Sequence, residues 1–101
     1  MMNRTNSTNR TNRANRMIGK KLTSREILVL TLSAAGFSDR EIGEMLYASM
    51  NTIHNHVLSI RAKLDAKSRT QAVVRALKKG LLSFDEIENY ESGISNEQMS
   101  K

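Results

Sequence analysis

Apolar residues between Thr23 and Gly80 recur at intervals of three and four, in four groups divided by short polar stretches. That period belongs to a helix with one buried side and not to a strand, whose apolar residues alternate. The first group is Ile27, Leu28, Leu30, Leu32, Ala34 and Ala35, stopped at Gly36. The second is short and reaches about Leu46. In the third, Met50, Ile53, Val57, Ile60 and Leu64 form one stripe that predicts a core-facing side. The fourth holds Ala72, Val73, Val74, Ala76 and Leu77 before Gly80.

The starts of these helices are written in the polar residues. Thr23-Ser24-Arg25-Glu26, Ser38-Asp39-Arg40-Glu41 and Ser68-Arg69-Thr70-Gln71 read as capping boxes, in which a hydroxyl and an acid or amide side chain satisfy each other's free backbone N–H. Ser49 caps the helix from Met50 to about Leu64. Gly43 inside the short second helix costs about 1 kcal/mol relative to Ala, which points to a close helix crossing. Nothing alternates as a strand, so the expected class is all-α. Phe84, Ile87 and Tyr90 share one face of a further short helix, with fraying expected beyond Gly93.

Charge adds a second division of the chain. The 101 residues carry a net +6 with a pI near 10.1 and no Cys, Pro or Trp. Residues 1–21 hold six cations and no acid, residues 22–82 nine cations and five acids, and residues 83–101 five acids against Lys101. The expected domains are a disordered basic arm at 1–21, a helical domain at 22–82 with its helix-turn-helix at about 38–64, and an acidic tail at 83–101. The first sixteen residues repeat NRTN and bury too little apolar surface to order themselves. Such an arm suits DNA phosphates or a minor groove.

No apolar run is long enough for a membrane span, and the Arg-rich start lacks a signal peptide's apolar stretch. The absence of Cys removes disulfide frameworks and Cys-based zinc sites and suits a cytoplasmic protein, nucleoid-associated when bound to DNA.

Opposite its apolar stripe, the third helix carries Asn51, Asn55, Leu58 and Ala62, flanked by His54 and Arg61 on one side and Thr52, His56 and Lys63 on the other. A helix of about fifteen residues is roughly 22 Å long and fits a major groove about 12 Å wide. Asn can pair twice with adenine, His can donate to guanine acceptors, and Leu can contact a thymine methyl. Thr52, His56, Arg61 and Lys63 lie toward the flanks, where phosphates are the expected contacts. On an isolated helix, Asn51 and Asn55 would simply be solvated residues. His54 and His56, two apart, do not share a face, so no metal pair is expected. No paired carboxylates, activated nucleophile or Gly-rich phosphate loop is present, so neither an enzyme nor a bound cofactor is expected.

The pattern LTSRE…GFSDREIGEML..S..TI..H…KL…SRTQAV..AL..GL over Leu22–Leu82 resembles the LuxR-type (GerE-like) helix-turn-helix domain. The resemblance implies four helices that bind double-stranded promoter DNA, as a homodimer joined through the last helix, Arg69–Lys79. It further implies base contacts at His54, Asn55 and Leu58 and backbone contacts at Thr52 and His56. Val74, Leu77 and Leu81 are the expected dimerisation residues. The family usually has Lys or Arg at the position of His54, a polar residue at Leu58 and Ala at Gly43. Ile27 and Leu28 replace positions that are commonly charged, which predicts exposed apolar surface there.

Family members commonly carry a receiver or sensor domain ahead of this module, and residues 1–21 are too short for either, so a standalone form is expected. Two other functions fit the sequence. One is an interaction-only modulator pairing with a full-length LuxR-type relative. The other is a sigma-factor region-four-like module that touches RNA polymerase, against which the long SRTQAV helix ending in GL argues.

Overall fold

The computed structural model describes residues 16–100, with side chains through Gly93. Residues 1–15, most of the expected low-complexity stretch, lie outside the described residues. Five helices follow one another: α1 Ser24–Ala34, α2 Asp39–Leu46, α3 Met50–Leu64, α4 Arg69–Lys78 and α5 Phe84–Ser100. There is no strand among the described residues. The all-α class and its four helices are observed, and the tail supplies a fifth. α5 spans Phe84–Ser100 and so is longer than the short helix expected.

Each helix begins where its polar residues place it. Thr23 Oγ1 accepts from the Glu26 amide at 3.0 Å, and Glu26 Oε1 accepts from the Thr23 amide at 2.9 Å. Ser38 and Glu41 repeat the arrangement at 3.1 and 2.8 Å. The third expected box is half a box. Ser68 Oγ takes the Gln71 amide, but Gln71 Oε1 reaches one residue further back, to the Lys67 amide at 2.7 Å. Ser68 itself is strongly extended, with φ −149°.

Ile53, Val57, Ile60 and Leu64 of α3 are buried with Val29, Leu30 and Leu32 of α1, Ile42 of α2, and Ala72 and Ala76 of α4. Leu22 and Leu82 close the core at its two chain ends. Met50, the first residue of the expected stripe, is 58% exposed. It is the opening residue of α3, so its side chain extends past the neighbouring helices. Ile27 and Leu28 pack against the core as half-buried residues and so do not form the exposed apolar surface expected of them. Ile87 and Tyr90 of α5 likewise dock on the core, while Phe84 stays 72% exposed.

Between α2 and α3 the chain reverses through Tyr47, a non-glycine residue in the left-handed region at φ 57°. The Ala48 amide donates to the Gly43 carbonyl at 2.8 Å. A Cβ built on Gly43 would stand 2.5 Å from the Ala48 carbonyl oxygen, so the glycine admits the backbone of the turn itself. Arg69 then joins the start of α4 to the start of α2, with a two-pronged contact to Asp39 at 2.7 and 3.0 Å and a third bond to Ser33 Oγ.

Candidate nucleic-acid interface

α3 is held from one side only. Its buried stripe fixes the rotation of the helix, and that rotation turns Asn51, Thr52, His54, Asn55 and Leu58 outward, all exposed. Ser49 caps the helix through the Thr52 amide at 3.0 Å, and its hydroxyl also lies 2.9 Å from Thr52 Oγ1. His56 is half-buried at the margin. The first two turns of α3 therefore bring amide, imidazole and hydroxyl groups to one solvent face, with the Leu58 side chain among them. Each is a donor, an acceptor or an apolar contact of the kind that reads base edges.

The flanking cations are placed differently. The Arg61 guanidinium bends back onto the α3–α4 connection, donating to the Ala66 carbonyl at 3.5 Å and to the Lys67 carbonyl. Lys63 turns inward. Its ammonium donates to Glu26 Oε1 at 2.8 Å and to the Lys21 carbonyl at 3.1 Å, with only 11% of the side chain exposed. Of the nine residues named on the polar side of α3, it is the one whose charged group is paired inside the protein.

Its partner is a residue that sequence reasoning gave a single duty. Besides closing its capping box, Glu26 accepts a bond from Ser59 Oγ at 2.7 Å and is 5% exposed. Burial alone would raise its pKa. The bonds from Lys63, the Thr23 amide and Ser59, together with the Lys63 charge, outweigh burial and hold the carboxyl below its ordinary range. The same corner secures residues at the end of the expected arm. Arg16–Gly19 form a turn, Gly19 adopts φ 85°, and its amide donates to the Lys63 carbonyl at 3.0 Å. Residues 16–21 thus belong to the folded body, against the expectation of disorder through residue 21. The left-handed glycine brings an amide onto one of the carbonyls that a helix end leaves free. No local signal pairs residue 26 with 63; burial of a cap acid was the cue available only in three dimensions.

Of the expected dimerisation residues, Val74 is exposed on α4, Leu81 lies at the surface after it, and Leu77 packs against the core. No helix among the described residues is long and apolar enough to cross a membrane.

The family model for bacterial regulatory proteins of the luxR family (GerE) matches residues 20–76. The chain is 51% identical over 59 residues to the transcriptional regulatory protein DegU of Brevibacillus brevis, 58% of this chain and 25% of that protein. It is 43% identical over 65 residues to the oxygen regulatory protein NreC of Staphylococcus haemolyticus, and 41% over 64 residues to the transcriptional regulatory protein LiaR of Bacillus subtilis. These alignments cover 64% and 63% of this chain and 30% of each relative. The chain therefore matches less than a third of the length of these curated relatives.

Proposed function

Because the chain belongs to the luxR family of bacterial regulatory proteins, which are not enzymes, we propose that it is a sequence-specific, DNA-binding transcription regulator. In this reading α3 lies in the major groove of promoter DNA and the protein acts as a homodimer on a two-fold site, in the cytoplasm. One observation carries the proposal: α3 buries its apolar stripe completely from Ile53 onward and leaves Asn51, Thr52, His54, Asn55 and Leu58 without covering. His54, Asn55 and Leu58 then face bases with Asn51 on the same side, while Thr52, His56 and Arg61 serve the flanks. Lys63 leaves the interface and becomes the anchor of α3, since its ammonium is already matched by a buried carboxylate. Exposed Val74 supports dimerisation through α4.

The rival reading, an interaction-only modulator of a luxR-type relative, draws on apolar surface at Ile27 and Leu28, on the absence of a permanent cation at His54, and on the Phe84, Ile87 and Tyr90 face. Of these apolar residues only Phe84 stays exposed, and the other four pack on the core. A sigma-like module contacting RNA polymerase has no observation in its favour.

Selection of the purified chain against random-sequence duplex pools at two salt concentrations tests the proposal. The expected result is a two-fold motif whose binding weakens in Asn55→Ala and His54→Ala. Each lost base contact should cost about 1–3 kcal/mol. Salt-sensitive binding with no motif would overturn it. Deleting residues 2–16, which removes four arginines, should lower affinity and flatten the salt slope by up to about 0.9 per lost phosphate contact. An unchanged slope would exclude the arm from the complex.

A further inference from the structure

Where residues 19–22 cross the C-terminal end of α3, a half-open cleft of about 390 Å³ separates them from the segment that follows α4. Its apolar lining comes from Leu22, Ile27, Leu64 and Leu81. Around it stand Lys20, Lys21 and Lys79, all exposed, and none of their ammoniums makes an ion pair among the described residues. The fourth lysine at the cleft, Lys63, is committed to Glu26. An apolar trough with three free cations at its rim has the chemistry to receive an aromatic side chain flanked by carboxylates.

The chain carries such a group. Phe84 opens α5 and is the most exposed large apolar side chain after Tyr47. Glu88 and Glu91 follow it at intervals of four and three, which puts the ring and both carboxylates on one face of the helix. That face lies beside the Ile87–Tyr90 face docked on the core, and both acids are exposed with no ion pair among the described residues. Phe84 is three residues beyond Leu81, so ring and cleft occupy the same end of the molecule.

We propose that the Phe84–Glu88–Glu91 face of one copy docks into the Leu22–Ile27–Leu64–Leu81 cleft of a second copy, and that the second copy returns the same contact. Two complementary patches side by side on one surface are what a two-fold interface requires, because each copy then offers a donor and an acceptor about one axis. The apolar part anchors the contact and the charges choose its partner and orientation. This inference rests on the dimeric reading above and gives the acidic tail and the basic cleft a role in it.

The test is sedimentation of the full chain, free and on its selected DNA, across a range of concentration and salt. Phe84→Ala is expected to weaken self-association by about tenfold or more, the factor carried by about 1.4 kcal/mol, with helicity unchanged by circular dichroism. Glu88→Lys/Glu91→Lys and Lys20→Glu/Lys21→Glu/Lys79→Glu should each lose the dimer, and mixing the two variants should restore it as a heterodimer in which one contact is charge-reversed and the other is native. Restoration in the mixture cannot arise from misfolding. A dimer indifferent to all three variants overturns this inference and leaves the dimeric reading intact. A chain that is monomeric both free and on DNA overturns the dimeric reading, and this inference with it.

Discussion

Two capping boxes fifteen residues apart, Thr23–Glu26 and Ser38–Glu41, have the same bonds to within 0.1 Å, yet they do different work. The second is exposed and only starts a helix. In the first, the acid is buried and collects Ser59 and Lys63 from α3, thirty-three and thirty-seven residues away. The difference lies wholly in what packs above them. A local motif states that a helix begins; it is silent on whether its carboxylate will also have to neutralise a buried cation. At Glu26 one side chain couples the opening of α1, the rotation of α3 and the entry of the chain at Lys21.

Lys63→Met should break the contrast most severely. It leaves a buried carboxylate without its cation, and such losses cost about 3 kcal/mol or more. Thermal unfolding should show a fall in Tm on the order of 10 °C. The pH dependence then sharpens the cause. In the wild type the depressed pKa of Glu26 supplies stability that is present above its unfolded value of about 4.3 and is lost as pH falls through the lower folded value. Without Lys63, burial dominates and raises the pKa, so protonation relieves the variant. Urea denaturation should therefore find the two proteins converging as pH drops through about 4, and a gap independent of pH would rule out the carboxylate as the cause.

Asp39→Asn tests an intermediate case, since the two-pronged contact with Arg69 is only partly shielded. A loss of about 1.5 kcal/mol is expected in the same denaturation experiment. Glu41→Ala, at the exposed box, should cost about 0.5 kcal/mol in the same denaturation experiment. A loss at Glu41 as large as that at Lys63 would erase the distinction between the two boxes.

Much of this architecture is legible in the sequence because short-range rules govern it. Hydroxyls three residues ahead of acids mark α1 and α2, and glycines at 36 and 80 adopt positive φ just past α1 and α4. The outward face of α3 follows from the position of Ile53, Val57, Ile60 and Leu64. Failures occur where a neighbour distant in sequence decides. The apolar period continues back to Met50, but no helix reaches far enough to cover it. Lys63 belongs to the polar side by spacing, and only Glu26 draws it inward. Gln71 sits where a box acid would sit, yet the extended Ser68 presents the Lys67 amide instead. Ile87 and Tyr90 dock on the core, a contact their spacing alone leaves open.

The hydrogen bond from Gly19 to Lys63 has a consequence for ancestry and engineering. It pins the incoming polypeptide to the last turn of α3, whereas the exposed amides and imidazoles crowd the first turns, about 18 Å away at 1.5 Å per residue. Whatever is spliced upstream of residue 19 joins the body at the opposite end of α3 from these exposed side chains. A module wired in this way can be shuffled by recombination onto unrelated upstream cargo without burying those side chains, and a fluorescent protein fused there should leave them clear.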